Sequence, residues 1–238
     1  MQRSDRKLLM QVYDALFKRY GHRHWWPGDT RDEILIGAIL TQNTAWTNVE
    51  KAIANLKGEG LLTAKAIAEA DVGTLARLIR PAGYFNQKAV RLKEFFGHFE
   101  AGRETEHDGG RQGLDAFFSQ PLEEARMQLL ALRGIGPETA DSMLLYAGNL
   151  PTFVIDAYTF RIFKRLGLDK KAYQRRTPKG LWKDDYEAFR QYFLKNLPED
   201  VALFNEYHAL LVEHGKTHCR SKPDCEGCAL AGMCGGPL

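Results

Sequence analysis

The sequence predicts an all-α fold. Apolar residues recur at helical spacing along most of the chain, and no segment shows the alternating pattern of a half-buried strand. The 44% hydrophobic content is enough for a folded core. All four cysteines of the chain lie close together near its C-terminus. We therefore expect a helical protein that ends in a cysteine-rich loop.

The helices can be placed in order from their apolar stripes and caps. The first covers residues 5–20, Asp29 and Thr30 are expected to cap a second through EILIGAILTQ, and a third is expected to begin near Thr44. Residues 101–115, with four glycines and many charges, predict a surface loop. The remaining helices are predicted at residues 67–79, 86–99, 122–132, 138–148, 157–167, 184–197 and 201–215.

The cysteines have the spacing C-x5-C-x2-C-x5-C, and such short loops allow four thiolates to meet at one metal centre. Such a set suits an iron–sulfur cluster or a structural zinc ion, and the spacing alone does not separate the two. Two disulfides are disfavoured, because the polar start MQRSDRKLL does not resemble a secretory signal peptide. The candidate metal ligands are Cys219, Cys225, Cys228 and Cys234.

Charge points to a polyanionic partner. The net charge is only +3, but residues 161–183 contain nine Lys or Arg and one acid. A one-sign segment of this kind favours phosphate contact over an ordinary mixed surface. No segment has the length of apolar residues that a membrane span needs, so we expect a cytoplasmic protein with no membrane partner.

The segment LRGIGPETAD, residues 132–141, predicts two helices joined by a tight turn. Gly134 and Gly136 allow the backbone to turn sharply and to point amide groups outward, and Pro137 suits the first position of the next helix. Such a turn binds a phosphate without reading a base. About twenty residues later, VIDAYTFR contains Asp156, which can cap the following helix or act as a carboxylate in a pocket.

Together, the helix–hairpin–helix LRGIGPETAD, the acid of VIDAYTFR and the four-cysteine loop resemble the endonuclease III family of DNA glycosylases. The resemblance extends to GAILTQNTAWTNVEKAI and AGYFNQKAVRLKEF. It implies two helical domains with a cleft between them that binds double-stranded DNA and a damaged base, and a C-terminal [4Fe–4S] cluster rather than zinc. The expected domains are residues 29–142, and residues 1–28 with 143–238. A monomer is expected.

The resemblance also implies the chemistry. The enzyme would flip a damaged base out of the duplex and hydrolyse its glycosidic bond, with Asp156 stabilising positive charge on the sugar. Relatives that also cut the strand have a hairpin lysine where this chain has Glu138. A carboxylate cannot form a Schiff base, so we expect a monofunctional glycosylase. Glu138 is expected to contact substrate, to repel a wrong base or only to favour its helix.

The expected base pocket is aromatic. Trp25 and Trp26 precede the second helix and Trp46 follows LTQNT, a combination similar to the 3-methyladenine glycosylase branch. Electron-rich rings favour a cationic alkylated purine, although large aromatic residues most often serve packing. Thymine or uracil mismatches and oxidised pyrimidines, the latter with lyase activity, remain alternatives. A non-catalytic iron–sulfur DNA-binding protein, in which Asp156 is only a cap, is the competing class.

Further DNA contacts follow from the same resemblance. Gln42 is expected to enter the gap left by the flipped base, and Tyr84 to wedge the stack apart from the opposite loop. Lys164 and Arg165, at the start of the basic segment, are expected to contact phosphates. Lys216 corresponds to a basic position near the last helix whose role is left open.

Overall fold

The computed structural model describes residues 2–25, 28–100, 113–168 and 182–235, and every regular element in these ranges is helical. The chain divides into two compact units. One consists of Met1–Trp25 and Pro151–Leu238, and the other of Trp26–Leu150. No helix of the described ranges is both long and apolar enough to cross a membrane.

The Trp26–Leu150 unit is arranged around its longest helix, α6, which packs against α2, α4 and α5. Phenylalanines of α6 and of the short α7 form a continuous aromatic cluster that closes the core. The helices are α2 (Arg31–Leu40), α3 (Trp46–Gly58), α4 (Ala64–Glu69), α5 (Val72–Leu78), α6 (Phe85–Glu100), α7 (Leu114–Phe118), α8 (Leu122–Ala131) and α9 (Pro137–Ser142). A 3-10 turn, Arg80–Ala82, precedes α6, and α9 continues into a π-helical turn, Met143–Ala147.

The other unit is held together by its longest C-terminal helix. Its helices are α1 (Gln2–Tyr20), α10 (Ala157–Arg165), α11 (Trp182–Asn196) and α12 (Val201–Thr217). Both α1 and α10 pack against α12. Phe153 stacks on Phe193 with ring centroids 3.8 Å apart, and the buried Tyr207 hydroxyl donates to the carbonyl of Leu9 over 2.7 Å. After α12 the chain forms the cysteine loop, which contains a short 3-10 turn, Ala231–Met233.

One of the predicted helices differs from the observed ones. The segment 67–79 was predicted as one helix but forms α4 and α5, because the Asp71 side chain accepts the Thr74 amide and starts a new helix. Helix α3 begins at Trp46, close to the predicted start near Thr44, after an Ala45 cap without a side-chain hydrogen bond. The second helix does begin with the predicted cap, since the Thr30 hydroxyl accepts the amide of Glu33. Most of the predicted loop at 101–115 and of the basic segment lies outside the described residues.

Candidate DNA-contacting and catalytic residues

The predicted hairpin is present between α8 and α9. Gly134 lies in the left-handed region, with φ of +83°, and a Cβ atom there would come within 2.6 Å of the Arg91 Nε atom. Only glycine therefore fits, both because of its backbone angle and because Arg91 lies across the turn. Gly136 is the N-terminal cap of α9 and has ordinary extended angles. The hairpin rests on a buried ion pair between Arg126 of α8 and Asp141 of α9.

Gln42, expected to enter the gap in the duplex, is tied to this hairpin. Its Nε2 atom donates to the Gly134 carbonyl over 2.9 Å and to the Thr139 hydroxyl over 3.1 Å. Its Oε1 atom accepts from an Arg91 terminal nitrogen over 2.7 Å. The carboxamide therefore has a fixed orientation in the free protein. Arg91 was not identified as a functional residue in the sequence. The one pattern that could have indicated it is its position three residues after Lys88, which places the two basic side chains on the same face of α6.

Tyr84, the predicted wedge residue, projects from the turn between the 3-10 segment and α6. Its side chain is 67% exposed, and its φ of +45° is uncommon for a residue with a Cβ atom. An exposed aromatic ring held on a strained turn is consistent with insertion between bases. Gln42 and Tyr84 therefore lie on two separate turns of one unit.

Asp156 caps α10, as the sequence suggested. Its Oδ1 atom accepts the Thr159 amide over 2.7 Å. Its other oxygen, Oδ2, lies 3.6 Å from the Nε2 atom of His208 on α12, and both side chains are largely buried. The cap thus uses one carboxylate oxygen, and His208 faces the other.

These contacts keep Asp156 ionised. Burial acts to raise the pKa of its carboxyl, but hydrogen bonding and charge from His208 and the hydrogen bond from Thr159 together lower that pKa below the ordinary value. A buried carboxylate with a specific charge partner is a candidate for a functional site, and structural ion pairs show the same feature. His208 was missed in the sequence, because a histidine within the apolar face of α12 is indistinguishable from a packing residue.

The four cysteines line one pocket, together with His214, His218 and the end of α10. Burial, and then the neighbouring cysteines, raise the pKa of the Cys228 thiol, although a backbone hydrogen bond acts against them. An Arg165 terminal nitrogen lies 3.2 Å from the Cys219 sulfur. Four thiols around one pocket, beside a guanidinium group, suit a metal centre bound by thiolates. Among the described residues, however, no three Cys, His, Asp or Glu side chains converge closely enough to form a metal site.

Arg165 and Lys164, the predicted phosphate contacts, occupy different environments. Arg165 donates to the carbonyls of Arg220 and Ser221 as well as approaching Cys219, so its donors are directed to the cysteine loop. Lys164 is exposed at the end of α10. Of the two, Lys164 has the side chain that is accessible to a polyanion.

The tryptophans predicted to form the base pocket do not all belong to the same compact unit. Trp25 belongs to the first unit, where the Lys216 ammonium lies 5.7 Å from its ring centroid. Trp46 belongs to the other unit, and its ring packs against Gly37 of α2. Trp26 lies outside the described residues. Glu138 is exposed in the first turn of α9.

Comparison with known proteins agrees with this architecture. Residues 36–184 match the family model of the HhH-GPD superfamily base excision DNA repair proteins. A Methanocaldococcus jannaschii protein, provisionally named a DNA repair glycosylase, is 42% identical over 98% of this chain and 99% of its own.

Solved structures give the same result. The 3-methyladenine DNA glycosylase MagIII of Helicobacter pylori, bound to 1,N6-ethenoadenine, is 26% identical with a TM-score of 0.65, covering 89% of this chain and 97% of that one. A non-covalent endonuclease III–DNA complex has a TM-score of 0.73 at 21% identity, covering 99% and 95%, and therefore supports the fold alone. The chain belongs to the HhH-GPD superfamily and is a base excision repair DNA glycosylase.

Proposed function

We propose that this glycosylase is monofunctional and removes an alkylated purine such as 3-methyladenine from double-stranded DNA. The observation that carries the proposal is a buried Asp156 carboxylate, kept ionised by His208, in a chain whose hairpin has Glu138 in place of a lysine.

The chemistry follows from the charge that develops on the sugar. As the bond between the anomeric carbon and the base nitrogen lengthens, its electron pair leaves with the base and the sugar becomes positive. The Asp156 carboxylate stabilises that charge. Water then adds to the anomeric carbon and loses a proton. A cationic alkylated purine becomes neutral as it accepts the electron pair, so its departure needs no general acid. Neutral thymine or uracil would instead leave as an anion, so the mechanism favours alkylated purines over these bases.

We expect no strand cleavage because the hairpin has no lysine. A lyase step needs an amine that attacks the anomeric carbon and forms an imine. Glu138 cannot supply that amine, and its exposed position in the first turn of α9 suits a role in substrate contact or in helix stability. Lys216 is the first candidate if an imine is nevertheless found.

DNA contacts are assigned to both units separately. In the Trp26–Leu150 unit, the amides of the Gly134–Gly136 turn would hold a phosphate, while Gln42 and Tyr84 would enter the distorted stack. In the other unit, Lys164 would contact phosphate directly. Arg165 would act there only if it left the cysteine loop, to which its hydrogen bonds now connect it. The enzyme is proposed to act as a monomer.

Base recognition is assigned to Trp25, Trp26 and Trp46. Their rings would stack on a positively charged base and attract it through cation–π interaction. The Lys216 ammonium lies 5.7 Å from the Trp25 ring centroid, so a positively charged base would stack on the opposite face of that ring. The solved 3-methyladenine glycosylase among the similar structures supports the same substrate class.

A [4Fe–4S] cluster would be held by Cys219, Cys225, Cys228 and Cys234. When bound, it would supply a covalent cross-link that orders the loop after α12. Arg165 would donate to the Cys219 thiolate and connect this loop to α10, the helix that Asp156 caps.

The test is base release from duplexes that each contain one lesion, measured with and without alkali. Wild-type enzyme should release 3-methyladenine and leave an intact abasic strand until alkali is added, and borohydride should trap no covalent complex. Asp156→Asn keeps the shape and capping ability of the side chain but loses its charge, so base release should fall about 100-fold or more while lesion binding persists.

Asp200→Asn is the matched control, because Asp200 caps α12 through the Leu203 amide as Asp156 caps α10. Its activity should remain near that of the wild type. Full activity of Asp156→Asn would reduce Asp156 to a cap. Release of only mismatched thymine, uracil or oxidised pyrimidines would replace the substrate assignment, and trapping by borohydride would overturn the monofunctional one.

A further inference from the structure

Lys88 is a lysine buried inside the Trp26–Leu150 unit, with only 1% of its surface exposed. Its ammonium group donates to the carbonyls of Leu40 and Ala82, each over 2.8 Å, and to the Thr44 hydroxyl over 2.7 Å. The three acceptors match the three N–H donors of an ammonium group. Burial, followed by the nearby Arg91, lowers the pKa of Lys88 to about 8. Burying this charge is costly, so the contacts it makes require an explanation.

The acceptors belong to two turns that are distant in sequence. Leu40 and Thr44 flank the turn between α2 and α3, and Ala82 ends the 3-10 turn before α6. Thr44 adds a second link, because its hydroxyl donates to the same Ala82 carbonyl that accepts from Lys88.

Both turns hold residues in strained conformations. Asn43 has a φ of +53° in the first turn, and Tyr84 a φ of +45° in the second. Residues other than glycine keep such angles only when the surrounding structure imposes them. Gln42 lies beside Asn43, and Gly83 beside Tyr84 adds a third positive φ. The contacts of the buried Lys88 and the half-buried Thr44 lie directly next to these strained residues.

We propose that Lys88 and Thr44 form a buried clamp that joins the α2–α3 turn to the turn before α6, so that Gln42 and Tyr84 deform the duplex as one rigid unit. The inference rests on the proposed function, because it concerns the two side chains assigned to the distorted stack. Lys88 and Thr44 are positioning residues and do not themselves touch DNA.

Helix α6 provides a matched control for the clamp. The Lys93 ammonium donates to the carbonyls of Ala68 and Ala70, each over 2.7 Å. It therefore satisfies the end of α4 and does not join the two turns. Lys93→Met removes a lysine that caps carbonyls, whereas Lys88→Met removes one that also joins two turns. Thr44→Val keeps the shape of the side chain and removes only the hydroxyl, which provides a milder variant if Lys88→Met folds poorly.

Amide hydrogen exchange in the free protein tests the clamp without any reaction. Exchange of the residue 44 amide, bonded to Thr41, and of the Gly83 amide, bonded to Arg80, should accelerate together in Thr44→Val and Lys88→Met. We expect about tenfold or more at each amide after correction for the intrinsic exchange rate of the side chain. Lys93→Met should leave both amides unchanged. Acceleration at one turn only, or at neither, would show that the turns are held independently and would overturn the proposal.

A double-mutant cycle tests the consequence for DNA. Gln42→Ala, Tyr84→Ala and their combination are compared for unstacking of 2-aminopurine placed beside an abasic-site analogue, first with the wild-type threonine and then in the Thr44→Val background. A rigid unit predicts that the two losses are strongly non-additive when the Thr44 hydroxyl is present and closer to additive when it is removed, because only the Lys88 link through Leu40 and Ala82 then remains. Additive losses in the presence of Thr44 would overturn the proposal. Failure of the wild type to release any base, with coupled exchange of both turns, would instead refute the proposed function and leave the clamp in place.

Discussion

Asp156 combines two roles that the sequence could not separate. Its Oδ1 atom caps α10 through the Thr159 amide, and its Oδ2 atom faces His208. The cap fixes the carboxylate in one orientation, and the histidine favours its charged form. A single aspartate is therefore both a structural and a candidate catalytic residue, and the two roles require different tests.

Replacing His208 separates them. In His208→Gln we expect the acidic limb of the pH–rate profile of base release to move to higher pH, because the Asp156 carboxyl loses the group that most lowers its pKa. At neutral pH the capping bond persists, but thermal stability should fall, because the buried Asp156 carboxylate loses its charge partner. Single-turnover rates between acidic and neutral pH measure the effect. His98→Gln, on α6 in the other unit, is the control and should keep the wild-type profile.

The sign of this change follows from linkage. A carboxyl whose pKa is lowered in the folded state stabilises the fold above its ordinary value of 3.8 and loses that contribution as pH falls below it. Without His208 the folded-state pKa of Asp156 is higher, so this contribution to stability is smaller at every pH above 3.8. An unchanged acidic limb in His208→Gln would show that His208 does not control the ionisation of Asp156.

At the scale of elements, the hairpin depends on an arginine from another helix. Arg91 of α6 lies across Gly134 and also holds Gln42, so the turn, α6 and the α2–α3 turn are connected by side chains. A glycine-rich turn alone would only expose amides. Here the conformation of the turn is fixed by Arg91, which would reduce the conformational entropy lost if the turn binds a phosphate.

Gly134→Ala should therefore impair DNA binding. The added Cβ atom meets Arg91 and forces a residue with a side chain into a positive φ, so we expect weaker binding of damaged and undamaged duplexes alike, and destabilisation on the order of 1 kcal/mol or more. Titration by fluorescence anisotropy and chemical unfolding measure the two effects. Gly97→Ala, in the last turn of α6 with open space around it, should instead be neutral or stabilising. Equal behaviour of the two variants would contradict this account of the turn.

Helices were more predictable from the sequence than their side-chain contacts. The all-α class, the hairpin and the Thr30 cap depend on local patterns and are confirmed. The prediction of one helix over residues 67–79 was wrong. The apolar spacing continues across Asp71, but Asp71 caps a new helix there. The contacts of His208 and Arg91 join residues 52 and 49 positions apart. Such contacts arise from packing between helices, which no local pattern encodes.

At the scale of the whole molecule, the cysteine loop is connected to α10 by arginines. Arg161 donates to the carbonyls of Cys219 and Gly215, and Arg165 donates to those of Arg220 and Ser221. The loop is thus joined to the helix whose other end is capped by Asp156. A metal centre in this loop would contribute to the stability of the unit because it binds the folded state preferentially.

Purified under anaerobic conditions, the protein should be brown and contain about four irons and matching acid-labile sulfide per chain. Cys228→Ser should lower the iron content and the midpoint of thermal unfolding, since it removes a ligand from the pocket. Ser221→Ala, in the same loop, is the control and should retain both. Stoichiometric zinc without sulfide would replace the cluster with a structural zinc site.

Helix α10 is nine residues long, with the candidate catalytic carboxylate at one end and the cysteine loop held at the other. If the loop carries a cluster, the supply of iron and the oxidative state of the cell act on the same short helix as the repair reaction. Oxidants that damage DNA also attack exposed iron–sulfur centres. If the cluster is present, we expect base excision by this protein to decline during iron starvation even when the amount of the polypeptide is unchanged. The mutation rate would then depend on the supply of iron.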